Sequence, residues 1–237
     1  MRCLGTIVFI CSALCSSAQD SIPVLTNKYI FFPYPVSNRT WHSSLGLTLT
    51  ALPQDITEEV QVRIPALDYH VLRGLPKGFY LDGRINFQLV QNHMSVGWRW
   101  AHPISEKVSY AIGDDFAFWY GNLTIAGFDT KAHGWMNYPN VSVGYRSDND
   151  LLFTLKGEAL INVSSKSTVA GLTVEDQRIK FNGWSATLML EQPFYGKKNI
   201  SLGVRAMYTN FFWQTWALYE TFDRNIFYPE IIIGFIL

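Results

Sequence analysis

The chain has 237 residues, 15% of them aromatic and 16% charged, with 19 basic side chains balancing 19 acidic ones. That balance excludes the basic surplus by which proteins hold nucleic acid. The three cysteines, Cys3, Cys11 and Cys15, all lie near the N-terminus, so the body of the chain has no thiol for a disulfide or a thiolate metal site.

The opening stretch, MRCLGTIVFICSALCSSA, reads as a secretory signal. Arg2 supplies the positive start, Leu4 to Leu14 the short apolar run, and Ser16 and Ala18 the small residues a signal peptidase accepts, which places cleavage before Gln19. The run is short for a spanning helix. Bulky Leu14 and Ile10 stand where a lipid-modified Cys15 or Cys11 would have a small residue before it. Without residues 1–18 the chain keeps 219 residues (237 − 18), with 18 basic against 19 acidic groups. Residues 19–42, with Pro23, Pro33 and Pro35 and little periodicity, read as an extended leader.

From residue 43 to 237 the chain reads as one domain built on period-2 alternation, the pattern of strands with two unlike faces. In SLGLTLTA, Leu45, Leu47 and Leu49 oppose Ser44, Gly46, Thr48 and Thr50. In LDGRINFQL, Leu81, Ile85, Phe87 and Leu89 oppose Asp82, Arg84, Asn86 and Gln88. In MSVGWRWA, Arg99 lies between Trp98 and Trp100. NVSVGYR and ISLGVRAMY repeat the pattern. Ten segments are expected, near 43–52, 58–72, 78–90, 93–101, 107–120, 137–146, 150–161, 179–191, 199–210 and 226–237. Two places disturb the alternation: Pro65 reads as a bulge site, and Asp114 falls on the apolar face unless a bulge near Gly113 turns it.

RGLPKG, AHPISEK, RSDND and QPFYGKKN are short connections of turn-forming residues after every second segment. Connections 121–136, 162–178 and 211–225 are expected to be long. Short turns on one side and longer loops on the other suit a membrane barrel, whose tilted strands need roughly 9–11 residues to cross. An even strand count would place both termini in the periplasm.

The nature of the polar face separates this reading from a soluble secreted sandwich or barrel. A surface in water is usually rich in Lys and Glu. Here that face carries Gly, Ser, Thr, Asn and Gln with single charges: Arg84, Arg99, Arg146, Lys156 and Arg205 among Asp82, Asp115, Glu158, Glu191 and Glu230. Such a balance suits a narrow lumen in which charges pair. The other face gathers Trp98, Trp100, Tyr110, Tyr145, Trp184 and Tyr208 near strand ends, as membrane interfaces do. The last segment, YPEIIIGFIL, puts Ile231, Ile233, Phe235 and Leu237 on one face and resembles the C-terminal strand of bacterial outer-membrane β-barrel proteins, although it ends in Leu237 where that strand usually ends in an aromatic residue.

That resemblance implies an all-β fold, a closed antiparallel up-and-down barrel of about ten strands (eight or twelve are alternatives). It also implies a bacterial outer-membrane location reached through a cleaved signal. The implied partners are outer-membrane lipid and lipopolysaccharide, and the barrel assembly machinery, which would read the last strand. Neither cofactor nor metal is expected, because His42, His70, His93, His102 and His133 show no ligand spacing. No nucleophile elbow or phosphate loop is present. His42, Ser43 and Ser44 are adjacent, so on a strand they point to opposite faces and make no catalytic set. Asp114 and Asp115 invite comparison with outer-membrane proteases, which resemble ten-stranded barrels with paired acids at the outer rim, but consecutive strand residues do not converge on one water. Five N-x-S/T matches, at Asn38, Asn122, Asn140, Asn162 and Asn199, bear on function only in a eukaryotic secreted chain.

The function expected is therefore non-enzymatic, with a narrow charged lumen that is either closed or a restricted solute path. One alternative is a surface protein that stacks a carbohydrate or lipid on the aromatic outer loop of Phe211, Phe212, Trp213, Trp216 and Tyr219. An outer-membrane hydrolase is the other.

Overall fold

The computed structural model describes residues 25, 28–53, 63–125, 128–169, 171–195, 198–218 and 224–237. The alternation is realised as ten strands: β1 (Trp41–Ala51), β2 (Arg63–Gly74), β3 (Phe79–Phe87), β4 (Gln91–Pro103), β5 (Val108–Ile125), β6 (Phe128–Arg146), β7 (Leu152–Val169), β8 (Leu172–Tyr195), β9 (Lys198–Thr209) and β10 (Ile226–Ile236). Each pairs antiparallel with its neighbours in sequence, and β1 closes on β10. Across that seam Leu45 faces Phe235 and Thr50 faces Glu230. With ten strands, the start of β1 and the end of β10 lie at the same end of the barrel, here the leader end; the opposite end is the loop end.

In β10 every odd-numbered residue from Phe227 to Phe235 is exposed and every even-numbered one from Ile226 to Ile236 is buried. Around the whole barrel the outward side chains are large and apolar: Leu47, Val96, Ile112, Val141, Leu155, Val204 and Ile231 are all about half exposed. A continuous apolar belt of this kind is not a surface that soluble proteins turn to water, and it excludes the soluble sandwich. Closure also leaves no open sheet edge, which lipid could not satisfy. Trp41, Phe79, Tyr145 and Phe235 girdle the belt towards the leader end, and Tyr120, Trp135, Trp184 and Tyr208 towards the loop end. An apolar band between two aromatic girdles is the exterior of a membrane-spanning barrel.

Several expectations change. Segments 121–136 and 162–178 are not long loops. The strands run through them as two tall hairpins, β5–β6 and β7–β8, so that β8 reaches 24 residues. Above the lipid both faces of a hairpin meet water, so hydrogen bonding continues after the alternation fades. The extra residues are absorbed where the register slips, beside Trp135/Met136, Leu160/Ile161 and Ser167/Thr168. Pro65 makes no bulge: the β1–β2 register runs unbroken from Trp41↔Arg73 to Ala51↔Arg63. Pro65 is exposed, while Ile64 turns inward against the apolar cluster at the loop end. Asp114 is likewise in unbroken register, opposite Trp98 and Pro139, so it stays on the outer face, where Asn137 Nδ2 donates to its Oδ1 at 2.6 Å.

Two segments fill the barrel ends. The described part of the leader, read from sequence as extended, bends at Ile30 to Phe32 and at Tyr34. Tyr29 to Tyr34 and Val36 are buried in the mouth against the inward residues Leu72, Tyr80, Ala101, Ala111, Leu152 and Met189. At the other end the chain after β9 turns inward as a short 3-10 helix, Trp213–Leu218.

Candidate functional site

The inward positions midway along the barrel form a belt of alternating charge. Asp82 Oδ1 lies 2.8 Å from His70 Nε2, and its Oδ2 lies 2.6 Å from Arg99 Nη1. The Nη2 of Arg99 donates to Asp115 Oδ2 at 3.1 Å, and Lys156 Nζ reaches that same carboxylate at 3.5 Å. Lys156 also pairs with Glu158. Arg205 continues the belt, 3.8 Å from Glu158 and 3.3 Å from Glu230. A second pair hangs from it: Arg84 donates from Nε and Nη2 to the two oxygens of Asp68, at 2.7 and 3.2 Å.

Neutral side chains complete the circuit. Asn86 donates to Asp68, Asn140 to Asp115, Ser185 to Glu158 and Thr50 to Glu230, all at 2.8–3.1 Å. Every strand from β1 to β10 thus contributes a group to the belt. The local sequence makes this possible. Strand periodicity delivers one inward side chain every second residue, and Gly97 leaves room beside β5: a Cβ there would overlap the Asp115 carboxylate. Asp68, Asp82, Asp115, Glu158 and Glu230 are five carboxylates, opposed by four permanent cations, Arg84, Arg99, Lys156 and Arg205, with His70 on the end of the chain. Desolvating so many charges is tolerable only because each has an opposite neighbour.

Of the ten charges expected in the lumen, eight therefore join the belt. Glu191 faces inward but belongs to the leader end, where its carboxylate accepts from the backbone N–H groups of Ile30, Phe31 and Phe32. Arg146 sits at the β6–β7 turn, more than a third exposed, and pairs with Asp150. Asp68 and His70 cannot be assigned to the inward face from sequence, because Pro65 obscures the phase of VQVRIPALDYHV. Asp115 points into the belt and Asp114 outward, so the two acids share no site, and His42 Nδ1 contacts the Tyr29 carbonyl oxygen at 2.8 Å.

The aromatic loop also departs from expectation. Phe211, Phe212, Trp213 and Trp216 are buried within the barrel, not presented outside it, and Tyr219 lies outside the described residues. Trp213 stacks on His93, with ring centroids 5.1 Å apart, and Phe212 packs on Tyr228 at 5.2 Å. Trp216 covers Gly121, where any Cβ would overlap its indole. Aromatic residues in a loop carry no period to say which way they face. Here the apolar wall of Trp119, Met136, Met207 and Tyr228 draws them in.

Between leader and loop lies a cavity of about 70 Å³, lined by Phe31 from the leader, Phe211, Phe212 and Trp213 from the loop, and the charged belt. Since a water needs roughly 10–15 Å³ by this measure, it holds a few waters.

No protein-family model and no curated protein sequence matches the chain. Among solved structures it is similar to Neisserial surface protein A, with 8% identity, 83% of this chain and 96% of that chain covered, and a TM-score of 0.42.

Proposed function

We propose that this chain is a non-enzymatic barrel of the bacterial outer membrane whose lumen is closed, and that it acts through what it presents at the membrane surface rather than by passing solutes. One observation carries this reading. The same small chamber is bounded by the leader on one side and the aromatic loop on the other, with a ring of paired charges between. A solute path would need an unobstructed column of water, whereas here the charges that would solvate an ion are committed to each other. The charges are the barrel's internal scaffold, holding ten strands together across a space too wide for apolar side chains alone.

In this reading the leader end faces the periplasm and the tall β5–β6 and β7–β8 hairpins stand outside the cell. Outer-membrane lipid and lipopolysaccharide surround the apolar belt, and β10, open to recognition before it pairs with β1, is the strand the barrel assembly machinery engages. The burial of Phe211, Phe212, Trp213 and Trp216 favours this reading over a loop that stacks a ligand.

The test is ion conductance of the mature protein in a planar bilayer, with insertion shown by a boiling-dependent gel shift. A silent bilayer is expected. Reproducible conductance steps that shift when Arg84 or Arg99 is neutralised would overturn the closed reading and make those side chains selectivity elements.

A further inference from the structure

The two ends of the lumen are closed by different kinds of structure. The loop plug is tied at both ends to adjacent strands. Among the described residues the leader from Tyr29 to Val36 forms no ladder with any strand; it joins the barrel wall at Arg39 and Thr40, which exchange backbone hydrogen bonds with Gly74 of β2.

It is nonetheless a preformed body. The Tyr29 hydroxyl donates back to the carbonyls of Tyr34 and Pro35, at 3.1 and 2.9 Å, and the Tyr34 N–H bonds the Phe32 carbonyl at 2.8 Å. The rings of Phe32 and Tyr34 stack 6.2 Å apart, with Tyr29 edge-on to both. Pro33 and Pro35 restrict the backbone between these contacts. The connection to β1, by contrast, is an exposed turn in which Thr40 N–H bonds the Ser37 carbonyl and Arg39 takes a left-handed φ of +63°. Its last two residues are fixed to β2, Arg39 N–H donating to the Gly74 carbonyl and Gly74 N–H to the Thr40 carbonyl, both at 3.0 Å.

What holds this body in the mouth is concentrated on one side chain. Glu191 is 1% exposed. Ile30 N–H donates to Oε1 at 2.7 Å, Phe32 N–H to Oε2 at 2.8 Å, and Phe31 N–H is shared between them at 3.2 and 3.1 Å. Successive N–H groups converging on one anion form a nest, whose grip depends on the negative charge. Among the described residues no lysine or arginine forms an ion pair with Glu191, so the leader's backbone does the work a cation does elsewhere in the lumen. The other polar ties sit at the start of the body: His42 Nδ1 to the Tyr29 carbonyl at 2.8 Å, Asn199 Nδ2 to the Lys28 carbonyl at 2.7 Å, and Lys28 Nζ to the carbonyl of Leu237 at 2.5 Å.

We propose that residues 29–36 are a releasable plug latched by Glu191, and that neutralising this carboxylate lets the plug swing out as one body about residues 37–38, just ahead of the Arg39 and Thr40 bonds to β2, opening the chamber to the periplasmic side. The proposal takes from the closed-lumen reading only what the plug guards; how the plug is held stands apart from it. An amide in place of the carboxylate keeps one acceptor oxygen, loses the charge, and sets its own NH₂ against backbone N–H groups. The inward apolar wall then still favours the seated plug, so release is transient and is read as a rate.

The mature chain has no cysteine, so single reporters are clean. Ile30→Cys reports on the plug, and Thr215→Cys, buried in the loop plug, is the control. Each variant is first shown to be folded by its boiling-dependent gel shift, then labelled in detergent micelles with a membrane-impermeant maleimide. With Glu191 present, both cysteines should react slowly. In Glu191→Gln, Ile30→Cys should react at least tenfold faster while Thr215→Cys is unchanged. Glu191→Asp, which keeps the charge on a shorter arm, should fall between, and it carries the comparison if Glu191→Gln fails to shift on boiling.

The latch is overturned by an unchanged rate at position 30, by equal acceleration of both reporters, or by a position-30 cysteine that already reacts like an exposed one in the parent. Because the loop plug remains in place, the bilayer should stay silent in Glu191→Gln. Conductance by the parent protein would remove the closed-lumen reading without touching the latch.

Discussion

Arg99 Nη1 stands 2.6 Å from Asp82 Oδ2 in the middle of the barrel, with both side chains at most 6% exposed. The same guanidinium holds Asp115 on the opposite flank, so Arg99 is the link between β3, β4 and β5. Arg99→Leu would take the permanent cation from two buried carboxylates, leaving Asp82 with His70 and Asp115 with Asn140 and the longer Lys156 contact. Removing one partner of a buried pair costs about 3–5 kcal/mol. The expected result is a marked fall in the denaturant midpoint of unfolding. A companion triple variant, Arg99→Leu with Asp82→Asn and Asp115→Asn, should recover much of the loss, because no charge is then left unpaired. Equal stability of Arg99→Leu and the parent would put this side chain on an exposed surface and contradict the belt.

At the loop end, Gly121 is the floor on which Trp216 lies. A valine there would push the indole away and with it the turn that carries Phe212 and Trp213. Overpacking a well-filled interior costs about 1–3 kcal/mol. Gly121→Val should therefore lower the unfolding midpoint and expose Trp213, seen as a red shift and easier quenching of tryptophan fluorescence. Gly121→Val with unchanged fluorescence and stability would show that the loop is not seated on β5.

The parts of this fold legible in the sequence are those where lipid and lumen differ in kind. Leu45, Leu47 and Leu49 against Ser44, Thr48 and Thr50 declare two solvents, and so do Trp98 and Trp100 around Arg99. Where both faces meet water, as along NLTI and SSKSTV, the contrast vanishes and strands continue unannounced. The paired partners within the belt were not legible either. Periodicity says that Arg99 and Asp82 both point inward, but the register that sets them side by side, Asp82↔Gly97 and Gly97↔Asp115, is a property of closure. The leader gave one usable signal, the density of large apolar residues in YIFFPYPV, which a segment left in water would not carry.

Tyr29 supplies a pH test at the leader. Burial pushes its phenol well above the usual value of 10.0. The neutral form is the one the folded state favours, so its contribution to stability is complete below pH 10 and is lost as pH rises above that, once the unfolded chain can ionise and the seated leader cannot. The thermal unfolding midpoint should fall above about pH 10, and the fall should be shallower in Tyr29→Phe. That variant should also be less stable near neutrality, having lost the hydroxyl bonds to Tyr34 and Pro35, each worth about 1 kcal/mol. Parallel alkaline profiles for Tyr29→Phe and the parent would mean that the phenol ionises freely and that Tyr29 is not held in the mouth.

Asp114 is the exception on the outer face. It lies between Ile112 and Phe116 on a strand that runs from Tyr110 near the leader end to Tyr120 near the loop end, and among the described residues its one hydrogen-bond donor is Asn137. Charged groups facing lipid destabilise barrels, acids less than the 2–4 kcal/mol or so found for Arg and Lys at mid-depth. Asp114→Leu should then stabilise the folded barrel in lipid, by about 1 kcal/mol. Asn137→Leu should do the reverse, since it leaves the carboxyl group without its donor at a cost of about 1–3 kcal/mol. The double variant Asp114→Leu with Asn137→Leu should return close to the level of Asp114→Leu alone, because the asparagine acts chiefly through the acid it satisfies at 2.6 Å, its other bond being a 3.4 Å contact to the Asp115 carbonyl. Unfolding titrations of the four proteins in the same lipid vesicles decide it: additive effects of the two substitutions would show that Asp114 and Asn137 act independently, and a destabilised Asp114→Leu would show that the acid is held by more than its neighbour.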